Sequence, residues 1–245
     1  MTDRSSCLVM KLSRYVTLGP EDRARLAKIE KTERNYATHT DVYRLADRNT
    51  ELFVVKEGWA FSYVDMPNGR RQIVQLHHPG DIIGLRDVAL NCRSTTLSTA
   101  EPVTLCPFPK SALDLILRES PRLSALLLSI ALREQVTFID LLRAMGRMSA
   151  EERIGYLFLD LIARLRITNP SMTDTFRLPL TQSQIADYLG LTNVYVSKTL
   201  LQMEQKGYLQ RGDGKVRLLR EEALIELTDF TNHYDDLDTS WFPDK

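Results

Sequence analysis

The stretch LTQSQIADYLGLTNVYVSKTLLQMEQKG, Leu180–Gly207, decides the reading of this chain. Thr181 stands where a helix needs an N-cap, Gln184 follows three residues on to return a hydrogen bond, and Ile185, Ala186 and Leu189 fall on one face. Leu189-Gly190-Leu191 then makes a tight turn, because glycine takes the left-handed backbone that ends a helix. Thr192 caps a second helix, predicted over 193–206 and ending at Gly207. Val196, Leu200 and Met203 point to a core, which leaves Asn193, Tyr195, Ser197, Lys198 and Gln202 outside. Helix, glycine turn, helix is the arrangement whose second member enters the major groove of DNA. Immediately after it, Tyr208–Arg211, Gly212-Asp213-Gly214 and Lys215–Leu219 read as a β-hairpin with a basic tip, a wing.

Local charge agrees with that reading. Seven basic residues (Arg177, Lys198, Lys206, Arg211, Lys215, Arg217, Arg220) stand against three acidic ones (Asp187, Glu204, Asp213) between Arg177 and Arg220. The whole chain hides this excess, since 32 basic and 32 acidic residues cancel. An ordinary αα-hairpin with a solvated charged face is the competing interpretation, but caps, turn, wing and charge all favour the first.

Working outward, Ser149-Ala150-Glu151-Glu152 is a second capping box and the expected hinge before a helix to about Leu165. Upstream lies a long helix, Pro121 to Met148. Leu123, Leu127, Ile130, Glu134, Thr137, Leu141, Ala144 and Met148 recur along it at alternating four- and three-residue spacing, a heptad seam for a parallel homodimer. The same period also fits a helix face packed on its own domain. Before residue 120, short apolar runs alternate with turns. Leu52–Val55 and Trp59–Val64 flank Glu57-Gly58, read as a hairpin; Pro67-Asn68-Gly69 leads into Arg71–Leu76, and Pro79-Gly80 into Ile82-Ile83. Thr95–Thr99 and Val103–Phe108 follow, with helices predicted at about Pro20–Glu33 and Ser111–Leu117. The expected class is α+β: an N-terminal antiparallel β-roll or jelly roll (1–120), a dimerisation helix (121–148) and a C-terminal winged helix-turn-helix (149–245).

Composition bounds the alternatives. The 245 residues suit two domains and a connector, and 43% hydrophobic with 26% charged residues is the balance of a soluble globular protein. The stretch Met1–Val16 carries Asp3, Arg4, Lys11 and Arg14 and does not read as a signal peptide. The apolar run Leu123–Leu132 is half of the roughly 20 residues that a membrane helix needs, so a cytoplasmic protein without a membrane partner is expected. Cys7, Cys92 and Cys106 are scattered, which suggests neither disulfides nor a metal site, and no cofactor is expected. His77-His78 reads as a surface pair beside a turn. No nucleophile elbow, zinc-protease motif, phosphate loop or dinucleotide fingerprint occurs, so the chain is not expected to be an enzyme. A ligand-sensing module that controls a protein partner without touching DNA remains the alternative.

Taken together, Glu57-Gly58-Trp59, Asn68-Gly69-Arg70, Pro79-Gly80-Asp81-Ile82-Ile83-Gly84 and Leu180-Thr181-Gln182 through Leu209 resemble the Crp/Fnr family of bacterial transcription regulators over roughly residues 15–225. The resemblance implies a cyclic-nucleotide-binding-type roll, a dimerisation helix with Leu123, Leu127, Ile130, Thr137, Leu141 and Ala144 in its seam, and RNA polymerase as a partner. It places base contacts at Asn193, Val194, Tyr195, Ser197 and Lys198, and phosphate contacts at Thr181, Gln182, Thr192, Arg211 and Lys215. An effector pocket would involve Gly84, Leu85, Arg93, Ser94 and Thr95.

The departures are specific. Cyclic-AMP-binding members carry Glu where Leu85 stands, and their polar pair on the long helix aligns with Phe138 and Ile139; Arg93-Ser94 does match their phosphate-binding pair. Cyclic AMP is therefore not expected as effector, and Arg93 is read either as an anion contact or as a structural ion pair on the roll. Oxygen-sensing members hold an iron–sulfur cluster through four cysteines, a set this chain lacks. Related recognition helices carry Glu and, four residues on, Arg; here Val194 and Lys198 replace them, while Ser197 is kept as in oxygen-responsive members.

Overall fold

The computed structural model describes residues 6–235 and 237–243; the first five residues of the N-terminal stretch discussed above lie outside them. Two short helices, α1 (Cys7–Leu12) and α2 (Pro20–Ile29), precede the strands β1 (Arg34–Tyr36), β2 (Asp41–Tyr43), β3 (Glu51–Glu57), β4 (Ala60–Asp65), β5 (Arg71–His77), β6 (Ile82–Ile83), β7 (Thr96–Thr99) and β8 (Val103–Pro109). They form two four-stranded sheets, in the orders β1-β8-β3-β6 and β2-β7-β4-β5. Along β3 the buried side chains divide by parity. Phe53 and Val55 enter the roll with Leu97 and Leu105, whereas Leu52 and Val54 meet an outer cluster that includes Leu8, Leu26, Ile116 and Leu126.

Three expectations are corrected here. Glu57-Gly58 is not a hairpin: β3 pairs with β8 and β6, and β4 with β7, so the chain changes sheet at Gly58. Gly58 has φ +79°, and a Cβ there would sit 2.3 Å from the Pro102 carbonyl oxygen, so only glycine fits this corner. His77 and His78 are not on the surface; they are 2% and 0% exposed. His77, at the end of β5, has its Nε2 2.8 Å from Ser62 Oγ, and His78, just after the strand, lies against the Trp59 ring.

The third correction concerns the long helix α4 (Pro121–Arg147), which follows α3 (Ser111–Glu119). Leu123, Leu127, Ile130, Leu141 and Ala144 of the expected seam are buried within the chain itself, and Thr137 is half-buried. The apolar residues left in solvent are Leu128, Leu132, Val136, Phe138, Ile139 and Leu142. At 3.6 residues per turn, the stripe centred on Leu128, Leu132, Ile139 and Leu142 lies about 150° around the helix from the expected seam. The period is real, but the face that carries it packs inward.

The chain forms two compact units. One contains 6–64, 74–133 and 237–243; the other contains 65–73 and 134–235. Packing therefore changes host within α4, between Arg133 and Glu134, whereas the chain's helix break is at Ser149. In the second unit the predicted capping box opens α5 (Ala150–Thr168): Ser149 N–H donates to Glu152 Oε2 at 2.7 Å, and Ser149 Oγ accepts from the Glu152 N–H. These bonds hold the Glu152 carboxyl below its ordinary pKa. Then come β9 (Thr175–Arg177), α6 (Gln182–Leu189), α7 (Asn193–Gln205), β10 (Leu209–Gly212), β11 (Lys215–Leu218) and α8 (Glu221–Thr228). Strand β9, missed in the sequence because it is three residues long, pairs with β11 to complete a three-stranded wing sheet. No helix among the described residues is long and apolar enough to cross a membrane.

Candidate nucleic-acid interface

Both caps of the helix pair are formed. Thr181 N–H donates to Gln184 Oε1 at 2.8 Å and Gln184 N–H returns to Thr181 Oγ1 at 3.2 Å. Thr192 Oγ1 accepts from the Tyr195 N–H at 3.2 Å. Between the helices, Gly190 takes φ 64° and ψ 33°, and the Leu191 N–H reaches back to the Ala186 carbonyl at 3.0 Å. Arg153, not singled out in the sequence, clamps this turn by donating to the Leu189 and Met148 carbonyls.

Val196, Thr199, Leu200 and Met203 are buried and seat α7 on its unit. Asn193, Val194, Tyr195, Ser197 and Lys198 are all exposed, Val194 by 80% and Tyr195 by 50%. Leu201, 54% exposed, continues the same face one turn beyond Ser197 and Lys198. Its apolar character off the core face was the available signal. Thr181, Gln182 and Thr192 sit at the two helix N-termini, where unpaired N–H groups and the helix dipole favour an anion.

The wing turns at Asp213 (φ 51°) and Gly214 (φ 69°), both left-handed, with Gly212 opposite Lys215. Several basic residues here are already occupied. Arg211 Nη2 meets Glu204 Oε2 at 2.7 Å, Lys206 meets Glu151 at 2.7 Å and Arg217 meets Asp174 at 2.8 Å. The bonds from these cations hold the Glu204 and Asp174 carboxyls below their ordinary pKa values. Arg211, expected as a phosphate contact, pairs with Glu204 and ties the wing to α7. Lys198 and Lys215 are exposed, and no ion pair engages either among the described residues.

In the roll, the five expected pocket residues lie near one another but in a closed arrangement. Arg93 is 4% exposed, its guanidinium stacks 4.1 Å from the Tyr43 ring centroid, and Nη2 donates to the Glu51 carbonyl. Gly84 lies directly beneath it, where a Cβ would come 2.7 Å from Arg93 Nη1. Ser94 Oγ donates to Asp87 at 2.5 Å, Thr95 is buried, and Leu85 packs on the outer cluster. Arg93 thus makes a cation–π stack where a structural ion pair was one expectation. Burial raises the Cys106 thiol to about 11, which suits an inert thiol.

Residues 33–120 match the cyclic nucleotide-binding domain model, and residues 152–227 match the Crp-like helix-turn-helix domain model. The chain is 34% identical over 209 residues to the nitrogen fixation regulation protein FixK of Bradyrhizobium diazoefficiens, covering 83% of this chain and 86% of that one. It belongs to the Crp/Fnr family. This Crp/Fnr protein is also 27% identical over 221 residues to the transcriptional activator protein FnrA of Stutzerimonas stutzeri, covering 90% of each chain. The structure of FixK2 from Bradyrhizobium japonicum superposes with a TM-score of 0.71 at 26% identity, over 80% of this chain and 96% of that one. The chain is a DNA-binding transcription regulator of the Crp/Fnr type, with a cyclic-nucleotide-binding-like roll and a winged helix-turn-helix.

Proposed function

We propose that this Crp/Fnr regulator is not an enzyme and acts as a homodimer that reads a palindromic promoter site through Asn193, Val194, Tyr195, Ser197 and Lys198. The observation that carries the reading is the exposed outer face of the first half of α7, on which Val194 is 80% exposed. Val194 cannot accept a hydrogen bond from cytosine but packs on a thymine methyl, and Lys198 reaches guanine N7 and O6 without the planar fork of arginine. The half-site therefore departs from the one that a Glu–Arg pair selects. Thr181, Gln182, Thr192 and Lys215 hold phosphates and set register. RNA polymerase is the protein partner expected from the family.

The dimer is assigned to the exposed face of α4 that carries Leu128, Leu132, Ile139 and Leu142, and two-fold symmetry then sets half-sites about one helical turn apart. We assign the sensor domain to 1–120, the connecting helix to 121–148 and the DNA-binding domain to 149–245. Cyclic AMP is not the effector on this reading. Supporting it, Leu85 offers no carboxylate to a ribose, Arg93 is folded into the roll, and Ser94 is engaged by Asp87.

Selection of binding sites from randomised duplex DNA tests the proposal. The expected result is an inverted repeat with a thymine at the position Val194 covers. Selected sites without two-fold symmetry would overturn it.

A further inference from the structure

One exposed apolar side chain of α7 stands outside the set proposed to read bases. Leu201 is 54% exposed, although Thr199 and Leu200 just before it and Met203 just after it are buried. Taking about 100° per residue, the ridge of α7 opposite its buried face carries Val194, Lys198, Leu201 and Gln205, each within about 30° of the line facing away from the core. All four are exposed. Asn193 and Tyr195 lie about 90° or more to either side of that line. The ridge farthest from the core is the part of a recognition helix that goes deepest into the major groove. Leu201 therefore holds a more central place on this helix than two of the residues already assigned to base contact.

The chemistry of the ridge fits DNA and not an apolar protein groove. Helices that dock in such grooves repeat apolar residues at three- and four-residue spacing. Here the exposed cation of Lys198 separates the two apolar members, and the amide of Gln205 follows them. In the major groove every base pair presents donors or acceptors, and only thymine adds an apolar group, its 5-methyl. Leucine opposite any other base edge desolvates polar atoms without giving a hydrogen bond back. Leu201 lies within about 20° of Val194 around the helix and about 10 Å further along it, the span of about two to three base-pair steps.

We propose that Leu201 is a further specificity residue of α7, packing on the 5-methyl of a second thymine about two to three base pairs from the one that Val194 covers. This rests on the reading of α7 as the base-reading helix. The test uses the full-length protein on the selected duplex, with the thymines of one half-site replaced one at a time by deoxyuridine, which removes only the methyl. The unaltered protein is expected to lose about fourfold in affinity at each of two thymines, the scale of one buried methyl group. Leu201→Ala is expected to erase the loss at one of them, and Val194→Ala the loss at the other. Leu201→Met, which keeps an apolar side chain of similar volume, is expected to retain both losses. At the Leu201 position, 5-methylcytosine is expected to bind about fourfold better than cytosine, and no better once Leu201 is alanine. Both losses persisting in Leu201→Ala, with Val194→Ala still erasing one, would overturn the role of Leu201 and leave the reading of α7 intact. An equal weakening by Leu201→Ala on every duplex would place the side chain on the sugar–phosphate backbone and overturn it as well. A loss that responds to Leu201→Ala while none responds to Val194→Ala would support Leu201 and remove Val194 from the base-reading set.

Discussion

Glu204 on α7 holds Arg211 on β10 twice, by the 2.7 Å ion pair and by accepting the Arg211 backbone N–H at 3.1 Å. The wing is thereby fastened to the helix it accompanies, and a shift of α7 carries the wing with it. Removing the guanidinium with Arg211→Ala should cost about 1 kcal/mol at pH 7, the scale of a partly exposed but well-aligned pair. Because the folded Glu204 pKa is lowered, the stabilisation is present above the ordinary carboxylate range and is lost as pH falls through the folded value. Urea unfolding of both proteins should therefore differ at pH 7, and the difference should shrink as pH falls below the ordinary carboxylate range.

Lys198→Ala should cost about 1–3 kcal/mol on the selected site and relax preference at one base pair. Lys215→Ala should weaken cognate and random DNA alike and lower the salt slope by about 1. Titrations of both variants on both duplexes at several salt concentrations separate the two roles. Equal losses on cognate and random DNA for Lys198→Ala would remove it from the base-reading set.

The two faces of α4 make opposite predictions. Ile139→Asp, on the exposed stripe, should yield a folded monomer in sedimentation at micromolar concentration. Leu141→Ala, on the buried face, should leave the oligomer intact and lower stability by about 2–5 kcal/mol. A dimeric Ile139→Asp protein would move the interface elsewhere.

Cyclic AMP should leave the melting temperature unchanged. A ligand at a hundred times its dissociation constant adds about 2.7 kcal/mol to the state it binds, which a thermal scan detects easily. A saturable upward shift would show that Arg93 can leave the Tyr43 ring to take a cyclic phosphate.

The helix pair and wing were legible because their determinants are local: Thr181 with Gln184, Gly190, Thr192 and Gly214 each fix backbone within a few residues. Where the sequence misled, the deciding partner was distant. Glu57-Gly58 has hairpin chemistry, yet the partner of β3 is β8, some fifty residues away. Along α4 both Leu127 and Leu128 begin a heptad track, and periodicity alone cannot say which one a protomer keeps for itself. His77 and His78 are polar by name, yet both are buried by the tertiary packing around the end of β5. Among the site residues, those on α7 were found by their position opposite the core. The pairing of Arg211 with Glu204 was not legible, because it depends on where that carboxylate lies once α7 has formed.

The internal pairing of Lys206, Arg211 and Arg217 also bears on how the regulator finds its site. Cations that already carry a carboxylate release few counterions from DNA, so the sequence-independent part of binding is weaker than a count of seven positive side chains implies. On the proposed reading, the regulator should spend less time on random DNA and exchange rapidly between segments. Its occupancy of a promoter should then rest mainly on the base-edge contacts proposed for α7, and respond steeply to mismatches in the half-site.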